Sequence, residues 1–286
     1  MKSKIKRGDK KAIELELLIP KKDIKDTYDK VLSQVVKNAE VKGFRKGKAP
    51  KDVVEKNVDK GKLYEQVLSQ LLPKYYSEAV SEHKISPVVS PRITPILMEE
   101  GKDWSFKAET CEQPEVDLGD YKDKVKKEGA VDTIWVPGKD KGKKEEENKE
   151  VDDAKKVNKA IEILLKEARV ELADILVEDE VKRRLSQTLD EVKKLGLSLD
   201  EYLRSSGKTI EQLKDEQKEK AEETLRLEFI LNKIAEDEKI KVEEKDIDEA
   251  INKAPSTQER ERLEQNKYVL AMLLRRQKVL EFLKGL

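Results

Sequence analysis

One cysteine and one histidine in 286 residues leave this chain without the raw material for several kinds of chemistry. Cys111 has no second cysteine for an internal disulfide, and with His83 as the sole imidazole there is no Cys/His cluster at metal-ligand spacing. A reducing compartment suits such a chain, and a cytoplasmic location is expected. No run approaches the roughly 18 apolar residues that a membrane span needs, so no membrane partner is expected. The basic N-terminus leads into an apolar run, Ala12 to Ile19, but Glu14 and Glu16 interrupt it and no small-residue cleavage site follows, unlike a secretory signal. Aromatics make up only 5% of the chain, too few for the stacking platforms of single-strand nucleic-acid binding. No Gly-x-x-x-x-Gly-Lys-Ser/Thr segment cradles a phosphate. No cofactor of any kind is expected.

What the chain has in quantity is charge. Charged residues are 43% of the total and hydrophobic ones 36%, enough of the latter for cores in a chain long enough for two domains. Sixty-one cations balance 61 anions, yet residues 1–113 hold 24 Lys+Arg against 18 Asp+Glu, net +6, which leaves 37 against 43, net −6, for residues 114–286. The front is thus drawn to something anionic and the rear is discouraged from adhering to it.

The field concentrates at residues 42–51, which contain five cations and no anion, with Phe44 set between Gly43 and Arg45. Gly43 and Gly47 allow bent or left-handed backbone, while Pro50 fixes its own φ and biases Ala49 toward extended geometry. The expectation is a shaped loop presenting Phe44, Arg45, Lys46 and Lys48 outward. A solvated basic loop with its Phe folded onto the core competes with a docking loop, in which an aromatic anchor seats while cations steer the encounter. Screening limits that field to about 8 Å at physiological salt, so a partner must be met at contact.

Periodicity supplies the surroundings. Ile13, Leu15, Leu17 and Ile19 alternate as a strand ended by Pro20, and Ile24, Tyr28, Val31, Leu32, Val35 and Val36 take helical spacing from Asp23 to about Ala39. Val53 and Val54 indicate a short helix. Leu63 through Tyr76 indicate a longer one, kinked or broken at Pro73. Pro87, Pro91 and Pro95 repeat at steps of four between Ile85 and Met98, as in an edge strand whose missing donors lie along one side. Trp104, Phe106 and Ala108 alternate as its partner, and the small α+β domain closes near Pro114, giving a first domain of residues 1–120. A charged linker is expected over 121–153, with the Val131 to Val136 run around Trp135 free to form a strand.

From Ala154 to the end the pattern is helical throughout, an all-α, multi-helix domain over 154–286. Val157 to Leu172 and Val181 to Leu195 form two stripes, the second closed by Gly196. Ser198 with Glu201 and Thr209 with Gln212 fit capping boxes. Leu213 to Ile234 continues as a long helix whose Asp215 to Glu223 section is too polar for burial and projects into solvent. Ile247 and Ile251 follow, Pro255 breaks the chain, and Tyr268, Val269, Met272, Leu273, Val279, Leu280 and Leu283 mark the last helix.

In this order, the loop Gly43 to Pro50, the stretch Pro114-Glu-Val-Asp-Leu-Gly-Asp-Tyr121 and the run Leu199 to Lys208 resemble trigger factor, a bacterial ribosome-associated chaperone. The resemblance covers roughly residues 10–121 and 160–286. It implies a ribosome-binding domain followed by a helical chaperone domain, with Gly43, Phe44, Arg45, Lys46, Gly47, Lys48, Ala49 and Pro50 as docking residues. It further implies the ribosome and nascent or unfolded polypeptides as partners, with homodimer formation off the ribosome. Family members carry an FKBP-like prolyl isomerase domain of roughly a hundred residues in the middle. Fewer than about forty residues stand there in this chain, so enzymatic activity is not expected. Two other classes are weaker: a hydrolase or isomerase would rest on a lone His83 and Cys111, and an RNA-binding scaffold would use the same loop on phosphates.

Overall fold

The computed structural model describes residues 3–41, 44–129 and 145–286. They divide into two compact units, one of residues 1–113 with 173–179 and one of 114–172 with 180–286. In the first, strands β1 (Ser3–Arg7) and β2 (Ala12–Ile19) form a hairpin, followed by helices α1 (Lys21–Asn38), α2 (Lys51–Asn57) and α3 (Lys60–Glu82) and strands β3 (Arg92–Leu97) and β4 (Trp104–Cys111). The sheet is antiparallel in the order β1-β2-β4-β3. Alternation along β2 sets its two faces. Ile13, Leu15, Leu17 and Ile19 are buried and pack with Trp104 and Phe106 and with Val31, Leu63, Val67 and Leu71 of the helices. The other face is a lattice of charge, in which Glu16 pairs with Lys4 at 3.4 Å and Lys107 with Glu109 at 2.9 Å and Glu14 at 3.9 Å.

Two proline expectations change. Of the two outcomes expected at Pro73, the break does not occur: α3 continues through it, because Leu63, Val67, Leu71, Tyr75 and Ala79 bury one continuous stripe on both sides of it, outweighing the lost backbone bond. The edge strand is shorter than the Ile85 to Met98 span. β3 begins only at Arg92, keeping Pro95 alone, while Pro87 sits in an isolated bridge with Glu112. Pro87 and Pro91 supply no N–H, so pairing before β3 reduces to single links such as Val88 N–H to the Cys111 carbonyl at 3.0 Å. β3 has β4 as its one neighbour in the sheet and is an edge strand, as expected.

The second unit is mostly helical. It contains strand β5 (Val116–Asp117), helices α4 (Tyr121–Gly129) and α5 (Glu145–Glu167) and strand β6 (Arg169–Val170). Helix α6 (Asp174–Lys194) has its first turn counted with the first unit. Next come α7 (Leu199–Ser206), α8 (Ile210–Asp237), α9 (Glu244–Asn252), α10 (Thr257–Gln265) and α11 (Lys267–Lys284). The mostly helical character expected is seen, with one addition, a two-residue ladder that pairs β5 with β6. Part of the stretch expected as linker is helical: Tyr121 and Val125 of α4 are buried with Ala160, Leu164, Ile230 and Ile234, and α5 starts at Glu145. The low-apolar run after Pro137 masked this because the few apolar residues that anchor α4 lie ahead of it. Trp135 and the run around it fall outside the described residues.

Within α8 the polar section is not wholly in solvent. Gln217 and Ala221, one turn apart, are buried, so a narrow seam suffices to hold an otherwise charged stretch. Both predicted capping boxes close. Ser198 N–H meets Glu201 at 2.8 Å and Glu201 N–H meets Ser198 Oγ at 3.3 Å. The Thr209–Gln212 pair does the same at 2.9 and 3.2 Å. Helix α10, absent from the sequence expectations, starts at Ser256, whose hydroxyl accepts from Glu259 N–H at 3.2 Å.

Candidate functional site

The basic loop hangs between two fixed ends. Its near end is the C-terminus of α1, where Ala39 N–H bonds the Val36 carbonyl at 3.3 Å and the helix dipole leaves partial negative charge that suits neighbouring cations. Its far end is α2, held by fully buried Val54 and by the Tyr28 hydroxyl, which donates to Glu55 Oε1 at 2.8 Å. Burial, then Glu55, pushes the Tyr28 phenol above its usual range.

Between these ends the backbone doubles back on itself. Phe44 N–H bonds the Val41 carbonyl at 3.0 Å, Lys48 N–H the Arg45 carbonyl at 2.9 Å, and Gly47 N–H reaches the Ala39 carbonyl at 3.1 Å. Gly47 has φ +73°, and a Cβ there would lie 2.6 Å from the Lys37 carbonyl oxygen. Phe44 is 44% exposed, and Arg45, Lys46 and Lys48 are exposed beside it. Lys46 leans to Glu40 at 3.1 Å across solvent, a worth of about 0–1 kcal/mol that a partner can displace. Ala49 is 5% exposed and turns inward, so it shapes the loop and offers no contact surface. Pro50 caps α2, and Gly43 lies outside the described residues. Glu40 and the Lys37 carbonyl were missed by sequence reasoning. Glu40 ends the acid-free stretch and is its nearest legible signal.

The helical unit exposes apolar side chains in two groups. Leu189, Leu195, Leu197 and Ile210 are exposed at the ends of α6 and α8, with Leu195 at 73%. Tyr268, Val269, Met272 and Leu273 of α11 are 47–78% exposed. Sequence periodicity placed most of these on helical stripes without separating buried from exposed positions. The signal that separates them is width: Tyr268 to Leu274 is apolar on every side of the helix, and a thin helical layer buries only one.

Among the described residues, the sole histidine and the sole cysteine do not come together in a catalytic arrangement. Ser3 Oγ lies 3.0 Å from His83 Nε2, but its hydroxyl donates to Glu82 at 2.8 Å. The carboxylate thus accepts the serine's hydrogen bond and does not orient the imidazole, the reverse of a triad. Cys111 is buried, and desolvation pushes its thiol up to about 11. Among the described residues no group of three or more His, Cys, Asp or Glu is placed to hold a metal ion, and no helix is long and apolar enough to cross a membrane.

Comparison with known proteins agrees with this arrangement. A family model described as bacterial trigger factor protein matches residues 1–134, and one described as bacterial trigger factor protein C-terminus matches residues 139–285. The trigger factor of Staphylococcus epidermidis is 39% identical over 108 residues, 38% of this chain and 25% of its own length. That of Streptococcus pneumoniae is 36% identical over 172 residues, 58% of this chain and 36% of its own. The chain therefore spans a quarter to about a third of the curated relatives it matches. A solved trigger factor chaperone, from work on promiscuous substrate recognition in folding and assembly, shares the fold at a TM-score of 0.62 and 17% identity, over 100% of this chain and 99% of that one. The two family models meet at residues 134 and 139, leaving no room for an FKBP-like domain between them. With an α+β unit that carries the basic loop ahead of a mostly helical one, and with the two family models together matching residues 1–134 and 139–285, this chain belongs to the trigger factor family and lacks its middle isomerase domain.

Proposed function

We propose that this chain is an ATP-independent cytoplasmic chaperone that docks at the ribosomal exit tunnel through residues 43–50 and shields nascent or unfolded polypeptides with its helical unit. The observation that carries this reading is the loop: a backbone bonded back to Ala39 and passing close to Lys37 holds Phe44 exposed among three exposed cations. Phe44 seats in an apolar depression, and Arg45 makes forked contacts to a carboxylate or phosphate that Lys cannot duplicate. Lys46 and Lys48 add short-range attraction. The exposed apolar groups of the helical unit then hold a client through weak, dispersed contacts and release it without nucleotide.

Ribosome co-sedimentation of a Phe44→Ala, Arg45→Ala, Lys46→Ala variant tests the docking half. Pelleting is expected to be lost at physiological salt, and undiminished pelleting overturns the assignment. Suppression of aggregation of a refolding client tests the other half and is expected to survive that variant. Loss of both activities in a folded variant would mean that the two surfaces are one.

A further inference from the structure

The two legs of the basic loop are held by different means. On the near leg, the Gly47 N–H bond to the Ala39 carbonyl ties loop to α1 through backbone alone. The far leg, α2, depends on side chains. It has seven residues and one fully buried side chain, Val54. Among the described residues none of its charged groups forms an ion pair, and a single side-chain hydrogen bond joins it to another element: the Tyr28 hydroxyl of α1 donates to Glu55 Oε1 at 2.8 Å. Glu55 is half-buried.

The donor is itself braced from the core. The Tyr28 ring lies 5.4 Å from the ring of Tyr64 in α3, tilted by 40°, and Tyr64 meets Trp104 of β4 edge-on at 5.4 Å and 70°. Trp104 is fully buried, and its indole N–H bonds the Glu99 carbonyl at 3.0 Å. A line of aromatic contacts thus runs from the sheet through α3 to α1 and ends in a hydroxyl directed at α2. Ring packing of this kind restricts the tyrosine's rotamers and pre-organises the hydroxyl.

We propose that Tyr28 and Glu55 are positioning residues for docking, whose hydrogen bond sets the spacing of α1 and α2 and so the presentation of Phe44, Arg45, Lys46 and Lys48. The proposal rests on the docking role given above to the loop and adds two residues that touch no partner. With the bond broken, α2 keeps Val54 as its one fully buried anchor and pivots about it. The loop then samples geometries of which only a fraction docks, and apparent affinity falls by that fraction. A hydrogen bond to a charged acceptor is strong enough to shift such an equilibrium about tenfold.

Ribosome co-sedimentation and hydrogen exchange of the full chain test this with Tyr28→Phe, Glu55→Leu, Glu55→Gln and the double variant Tyr28→Phe with Glu55→Leu. Tyr28→Phe and Glu55→Leu are each expected to lower ribosome affinity about threefold to tenfold and to speed exchange over residues 51–57 while leaving α3 unchanged. Glu55→Gln keeps an acceptor for the hydroxyl and is expected to retain most of the affinity. The double variant should lose no more than either single one, since both remove the same bond. Additive losses, or a loss in Glu55→Gln as large as in Glu55→Leu, would mean that the carboxylate meets the partner directly, and overturn the positioning role. Tyr28→Phe that pellets like wild type overturns it too, whatever the exchange of α2, and leaves the docking role standing. Failure of the wild-type chain to pellet overturns both.

Discussion

At the scale of single residues, the shape of the basic loop turns on Gly47, where a positive φ coincides with a close approach to the Lys37 carbonyl. Alanine there meets two penalties: about 1–2 kcal/mol for left-handed backbone, and a Cβ 2.6 Å from an oxygen that cannot move without unwinding the last turn of α1. Gly47→Ala is expected to reduce ribosome affinity roughly tenfold, the equivalent of about 1.4 kcal/mol, with the melting of the first unit little changed. Gly47→Asn separates the two causes, because Asn tolerates the φ and still carries the Cβ. Equal loss in both variants identifies the close contact as the larger of the two penalties, and full affinity in both would remove Gly47 from the loop's architecture. The bend at Gly47 was legible in the sequence as glycine in a constrained loop. The close approach to Lys37 was not, since it depends on where the returning loop crosses α1, and neither was the inward turn of Ala49. Cys111 closes β4 as a small, fully buried residue. With its thiol pushed up to about 11 it should resist a thiol-specific reagent at pH 8 and react only on unfolding.

At the scale of elements, legibility follows locality. Capping boxes at Ser198 and Thr209 close because their partners sit three residues away, whereas Pro73 and the α6 and α11 stripes depend on what packs against them from afar. The turn between α7 and α8 shows how local chemistry holds an element with little burial. Helix α7 has no fully buried residue. It ends at Gly207 (φ +66°), with Lys208 N–H bonded back to the Leu203 carbonyl at 3.0 Å, and Lys208 is tied to Glu216 of α8, which Lys220 also meets at 2.7 Å. These hydrogen bonds, from Lys208 first and then Lys220, lower the Glu216 carboxyl to about 2 from an ordinary 4.5. A carboxylate with a depressed folded-state pKa contributes stability that is present above its unfolded value and lost as pH falls through the folded one. The contribution of this joint should therefore be whole above about pH 4.5 and gone near pH 2. Hydrogen exchange of α7 amides across that window checks it: protection is expected to fall with acid in the wild type, while Glu216→Gln starts lower and changes less. Identical acid profiles for the two proteins would show that the ion pair does not hold the turn.

At the scale of the molecule, two cores and two charge signs let one chain carry separable tasks. The first core is built on Leu15, Leu17, Ile19 and Trp104, the second on Leu164, Ile230, Ile234 and Leu283, and the net charge of +6 over residues 1–113 against −6 over 114–286 assigns attraction to anionic surfaces to one and not the other. If the loop owes its shape to α1, α2 and the sheet beneath them, then damage to the first core should abolish docking and spare client holding. Leu17→Ala removes a side chain with no exposure and should cost about 2–5 kcal/mol through lost burial and the cavity left behind. For a unit of about a hundred residues that lowers its transition by roughly 10 °C or more. Ile234→Ala, equally buried, should act on the second transition. Calorimetry with two resolved transitions, each moved by its own variant, is the expected result, because chains with more than one core do not unfold in a single step. At a temperature between the shifted and unshifted first transitions, Leu17→Ala should fail to pellet with ribosomes yet still suppress aggregation, and Ile234→Ala should do the reverse above its own transition. A single transition displaced by both substitutions would mean that the two cores stabilise each other, and the proposed docking would then depend on the folding of the helical unit.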